Sequence, residues 1–106
     1  MIKFDKESFA QSLEVLPFSA AHTVFLEEQT APYLIYTGND FEFTSADSKT
    51  VLCRTVIVLE LYTKAEQTDE NEEIIENFLD DFTTYEKSRS YISEEQLFVT
   101  YYTFDL

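Results

Sequence analysis

The sequence predicts an α+β domain: one mixed, mostly antiparallel sheet of about four or five strands packed with two helices. Three observations lead there. In VLCRTVIVLELYTK, residues 51–64, Val51, Cys53, Thr55, Ile57, Leu59 and Leu61 recur at every second position, while Arg54, Val56, Val58, Glu60 and Tyr62 take the other face. One face is fully apolar and the other mixed, with β-branched residues throughout, which suits a central strand better than an edge. The period then changes from 2 to 3.6. Asp69 stands where an N-cap belongs, Glu72 follows as in a capping box, and Ile75, Phe78, Leu79 and Phe82 form one helical stripe. In the closing segment, Glu94 to Leu106, Leu97, Val99 and Tyr101 alternate with Phe98, Tyr102 and Phe104, so both faces are apolar or aromatic. This strand should lie beside the central one.

The remaining elements follow in chain order. Asp5 can cap a first helix with Phe9, Leu13 and Leu16 on one side and Pro17 at its end. His22 to Glu28 and Tyr33 to Tyr36 read as two strands joined at hairpin length through Gln29, Thr30, Ala31 and Pro32. Thr37-Gly38-Asn39-Asp40 holds the only glycine and is a turn signal; Phe41 and Phe43 after it alternate with Glu42 and Thr44, as a short strand or an ordered loop. Ser45 to Ser48 connects that segment to the central strand. Lys64 to Glu72, with Ala65 as its sole apolar member, should be a mobile, exposed turn. Thr83 to Ser93 is mixed, and Tyr85, Tyr91 and Ile92 suggest short extended pieces.

A chain of 106 residues fits a single domain, 1–106, that buries roughly two-thirds of its unfolded surface. Hydrophobic residues make up 44%, ten Phe and seven Tyr among them, which argues for a folded chain despite its charge. That charge is −14, from 21 acidic and 7 basic residues, the wrong sign for binding nucleic acid through its phosphates. The acidity reads either as a solvated surface that resists aggregation or as one that repels or imitates DNA. The start, MIKFDKESFAQ, lacks the apolar run of a signal peptide, and no stretch approaches the roughly 18 apolar residues of a membrane span. A reducing, aqueous compartment without membrane contact is expected.

Groups that carry chemistry are few. His22 enters an apolar strand without a recognisable partner, so a surface or structural role outweighs general-base work. Cys53 is the one cysteine and falls on the inward face of the central strand, where a small buried thiol is ordinary. A single glycine cannot build a phosphate-cradling loop. Between Glu60 and Asp81 nine acidic residues stand against one basic residue, Lys64, which raises metal binding. Asp69-Glu70-Asn71-Glu72-Glu73 nevertheless lacks the order and glycine of an EF-hand, and carboxylates at a helix start also offset its positive dipole end. No cofactor, metal or catalytic residue is therefore assigned. The seventeen aromatics are more informative: they cover the sheet under two short helices, or some of them form an oligomer or docking surface.

From Ala46 to Phe82 the sequence resembles the tail-terminator or tail-completion proteins of tailed bacteriophages. The cues are the Ala46-Asp47 entry, the Glu60-Leu61-Tyr62-Thr63-Lys64 strand end, an acidic helix, and the closing YISEEQLFVTYY from Tyr91 to Tyr102. The resemblance implies a non-enzymatic virion assembly subunit that forms a closed ring with itself, commonly six-fold. Such a ring caps the tail tube at its head-proximal end and joins tail to head, so a tail tube protein and a head connector protein are the implied partners, without sequence-specific nucleic-acid binding. The host cytoplasm during assembly and then the virion are the implied locations. Phe41, Phe43, Tyr62 and Tyr102 are then candidates for a subunit or tail interface. Glu66, Asp69, Glu70, Glu72 and Glu73 are candidates for an exposed acidic turn or bore surface that repels passing DNA, with screening confined to about 10 Å at ordinary salt. The large negative charge departs from the pattern and leaves a second reading, an acidic DNA mimic that inhibits a DNA-binding protein.

Overall fold

The computed structural model describes residues 6–25, 27–44, 51–81 and 83–106, the side chains at 6, 7, 42–44 and 51–53 excepted. Helix α1 (Lys6–Ser12) runs into a single 3-10 turn (Leu13–Val15) and is followed by strands β1 (Ser19–His22), β2 (Tyr33–Thr44) and β3 (Val51–Thr63). A second 3-10 turn (Ala65–Gln67) leads into helix α2 (Thr68–Asp80), and β4 (Glu86–Ile92) and β5 (Leu97–Asp105) close the chain. The five strands form one sheet in the order β1-β2-β3-β5-β4. Every pairing is antiparallel except β1 with β2, so the sheet is mixed and the fold is α+β.

β3 is the central strand, and its composition explains why. It pairs with β2 on one side and β5 on the other, with Leu59 opposite both Tyr36 and Tyr102. Ile57, Leu59, Leu61 and Thr63 alternate into the buried face. There they meet Leu34, Tyr102 and Phe104 from the flanking strands, Phe9 and Leu13 from the N-terminal helical segment, and Ile75 and Leu79 from α2. Both helices thus lie on one face of the sheet. Phe9 is the pivot of α1: its ring stands edge-on to Tyr36 at 5.9 Å and to Phe104 at 5.4 Å, bridging β2 and β5 across β3. Each fully buried side chain of this kind contributes about 1.5–3 kcal/mol relative to exposure.

Several local expectations give way to long-range pairing. The strand expected from His22 to Glu28 ends at His22, where Thr23 takes a φ of 71°, and the described residues 24, 25 and 27–32 form no strand. β1 runs parallel to β2, so the tight hairpin expected there does not form; parallel neighbours need a longer crossover. Pro32 does mark the boundary, since β2 begins at Tyr33. Gly38 is no turn. It sits inside β2 opposite Ile57, and the Phe41–Phe43 segment continues the same strand. Twelve in-register pairs with β3 outweigh the local preference of a Thr-Gly-Asn-Asp stretch. The connection expected at Ser45 to Ser48 lies outside the described residues, as do Asp5, Phe82 and the side chain of Cys53.

The same pairing lengthens the molecule. β1 covers β2 only over Tyr33–Tyr36, and the β5 register reaches β3 only as far as Val56. The remainder, Asp40–Thr44 against Val51–Thr55, projects as a two-stranded ribbon. Overall extents are 53 × 29 × 24 Å and the radius of gyration is 15.5 Å. A compact chain of this length would have about 13 Å.

The expected exposed turn from Lys64 to Glu72 is instead mostly helical and partly buried. Thr63 and Thr68 share a buried hydroxyl–hydroxyl hydrogen bond of 2.8 Å, and the Lys64 amide donates to Gln67 Oε1 at 2.9 Å. Helix α2 therefore starts at Thr68, with Gln67 at its N-cap two residues before the expected Asp69.

Candidate functional site

The sheet register divides the molecule into a helix-covered face and an open one. On the open face lie Tyr33, Ile35 and Thr37 of β2, Val56, Val58, Glu60 and Tyr62 of β3, and Val99, Tyr101 and Thr103 of β5. Among the described residues no helix packs there. Tyr33 and Tyr62, directly opposite in register, stack with ring centroids 4.8 Å apart and planes 13° apart, and Phe25 stands edge-on to Tyr33 at 5.7 Å. The Tyr62 hydroxyl donates to Glu60 Oε1 at 2.6 Å. Burial first, then this hydrogen bond and the Glu60 charge, push the Tyr62 phenol far above its ordinary range. Tyr33 is raised too, by burial and by the charges of Glu95 and Glu60. The open face is thus apolar and aromatic with negative charge set into it.

Two of the four aromatic interface candidates belong to this face. Tyr62 is half-buried at one end, and Phe41, opposite Arg54, is 46% exposed on the projecting ribbon. Phe43 pairs with Leu52, but its side chain lies outside the described set. Tyr102 is a correction. It is fully buried on the helix-covered face, where its hydroxyl donates to Glu76 Oε2 at 3.0 Å. Alternation on β5 explains this: with Val99 and Tyr101 on one side, Tyr102 must take the other.

The acidic candidates also divide. Glu66, in the 3-10 turn before α2, is exposed, as are Asp69, Glu70 and Glu73, which with Asp80 give the outer side of α2 a row of carboxylates. Glu72 is the second correction, being 3% exposed. Its Oε2 accepts from Arg89 Nε at 2.9 Å and from the Thr100 hydroxyl at 2.6 Å, its Oε1 accepts from Arg89 Nη2 at 2.6 Å, and Lys87 Nζ lies 3.0 Å away. Burial alone would raise its pKa, but the hydrogen bonds from Arg89, Thr100 and Lys87 outweigh that and bring it down to about 2. Lys87 also pairs with Glu76 at 3.1 Å, and Arg89 with Asp69 at 3.3 Å. The expected capping box loses to this arrangement because two cations and a hydroxyl offer a carboxylate more than one backbone N–H does.

Lys87 and Arg89 were not legible as partners of the helix. The available signal was their i, i+2 spacing, which places both on one face of a strand, matched to Glu72 and Glu76 at i, i+4 on α2. A cleft at the Tyr33 end of the open face was equally invisible, since it is built by residues 24, 25 and 27–31 and the β4–β5 turn. His22 is exposed and packs its ring 5.2 Å from Tyr36. Among the described residues no group of three or more His, Cys, Asp or Glu is placed to hold a metal ion, and no helix is long and apolar enough to cross a membrane. Comparison with protein-family models, with curated proteins and with solved structures finds no match to the chain.

Proposed function

We propose that the chain is a tail-terminator or tail-completion subunit of a tailed bacteriophage, a structural protein that forms a homo-oligomeric ring on the tail tube and meets the head connector. One observation carries the reading: the surfaces are segregated. Helices cover one face of the sheet, an apolar and aromatic face with an extended ribbon is left for contact, and α2 turns Asp69, Glu70, Glu73 and Asp80 outward, away from that contact face. A subunit that packs against copies of itself while turning an acidic surface towards DNA needs this division. The ribbon adds reach, and a two-stranded ribbon alone is marginal in water, so contact with a neighbour would support it.

The competing reading, an acidic DNA mimic, draws on the same carboxylates. A helix of 13 residues spans only about 20 Å, a short stretch of duplex to imitate. Deleting the coding sequence from a phage that carries it should leave tails of irregular length or tails that fail to join filled heads. Infectious particles formed without the protein would overturn the terminator reading. Tight competition with duplex DNA for a DNA-binding enzyme would favour the mimic.

A further inference from the structure

We propose that the cleft between residues 24, 25 and 27–31 and the β4–β5 turn takes an arginine side chain from a basic segment of a different protein. The cleft measures about 660 Å³, within the size range of ligand pockets. Its apolar lining is Tyr33, Ile35 and Leu97 on the open sheet face, walled by Phe25, whose ring is perpendicular to that of Tyr33. Two aromatic planes at right angles, with Tyr62 stacked on one face of Tyr33 to hold that ring in place, suit a flat cation that stacks on one ring and meets the edge of the other.

Charge names the occupant. Glu27 and Glu28 line the cleft from the loop, and Glu94 and Glu95 from the turn, so carboxylates flank the aromatic floor on two sides. Lys64 is the one cation in the lining. None of the four carboxylates has an ion-pair partner among the described residues. The field reaches the floor, since Glu95 is among the groups that hold the Tyr33 phenol protonated. A guanidinium there gains the face of one ring, the edge of the other and a carboxylate on either hand, in a partly desolvated setting where such contacts strengthen.

A second copy of this chain cannot supply that cation from its described residues. Arg54 is held by Asp105, Lys87 by Glu72 and Glu76, and Arg89 by Glu72 and Asp69. Both arginines of the chain, Arg54 and Arg89, are thus engaged, and Lys64 already lines the cleft. The complement therefore comes from another protein with arginine to spare. This holds whether or not the chain ends a tail tube.

The test is a titration of 15N-labelled protein with a capped Gly-Arg-Gly-Arg-Gly peptide, alongside capped peptides carrying Lys or Glu in place of Arg. The expected result is saturable amide shifts confined to residues around Tyr33, Ile35, Leu97, Glu94 and Glu95, with weaker binding of the Lys peptide and none of the Glu peptide. E94Q/E95Q changes two exposed turn side chains, so it should keep the parent's melting curve while binding roughly five-fold more weakly. E70Q/E73Q on the outer side of α2 serves as the control and should bind as the parent does. Shifts that follow α2, or equal losses in the two double variants, would reduce the effect to general acidity and overturn the site. Equal affinity for the Arg and Lys peptides would overturn its selectivity for arginine.

Discussion

Arg89 grips Glu72 with both arms of its guanidinium fork, Nε to Oε2 at 2.9 Å and Nη2 to Oε1 at 2.6 Å, and so ties the edge strand β4 to helix α2. Strand β4 is exposed along nearly its whole length and buries little of its own. Its attachment rests on pairing with β5 and on this clasp, to which Lys87 adds a second cation. Glu72→Gln keeps an acceptor for Thr100 but leaves two cations facing a neutral amide. Breaking one side of a buried pair costs about 3–5 kcal/mol, and here the partly exposed cations bring the expected loss to roughly 2–3 kcal/mol. Urea denaturation reads this directly, and an unchanged midpoint with an unchanged slope would show that the clasp contributes nothing.

The clasp also sets an acid limit. Glu72 has its pKa lowered to about 2 in the folded protein, from 4.5 for the free group. A depressed folded pKa means that the folded state binds the proton less readily, so the stabilisation is complete above about pH 4.5 and is lost as pH falls through about 2. The separation corresponds to on the order of 3 kcal/mol, an upper figure because Arg89 and Lys87 are 40% and 36% exposed and screened by water. The parent should therefore exceed E72Q in stability at about pH 6, and the gap should narrow by about pH 3. A gap that stays constant over that window would show that Glu72 does not titrate with folding.

What the sequence revealed was what periodicity encodes. The central strand stood within a residue of its ends and the amphipathic helix and the two-faced closing strand within two or three, because burial on one or both faces writes itself into a period of 2 or 3.6. Misread elements were those set by partners distant in sequence. Gly38 stays extended because β3 lies beside it, and the Val24 and Phe25 pair is apolar without being strand because Phe25 packs on Tyr33. The site followed the same rule. Tyr62 could be placed on a face, whereas the burial of Glu72 required knowing that Lys87 and Arg89 return beneath α2.

Leu59 tests the core. It is fully buried at the middle of β3, between Tyr36 and Tyr102 in the register and under both helices. Leu59→Asp would place an unpaired carboxylate there, at a cost of several kcal/mol, which is half or more of the roughly 5–15 kcal/mol that holds a small domain together. The variant should be unfolded or melt far below the parent by circular dichroism. A parent-like melting curve would mean that the face of β3 has been assigned the wrong way round.

The outer side of α2 tests the proposed role. Glu70 and Glu73 are exposed and make no ion pair among the described residues, in contrast to Glu72 one position away. Reversing them to Lys leaves the core stripe of Ile75 and Leu79 and the clasp untouched, so the helix should form and the protein should melt close to the parent. Two reversals shift the local charge by four units, which matters most where DNA passes within about 10 Å. In a ring whose bore is lined by this side of α2, particles carrying E70K/E73K should assemble and adsorb normally yet eject DNA slowly or incompletely, a defect that eases as salt rises. The E70Q/E73Q variant should show a smaller defect, since it removes repulsion without adding attraction. Parent-like DNA ejection by E70K/E73K particles would place this face away from the bore, while failed assembly with a parent-like melt would place it in a subunit contact.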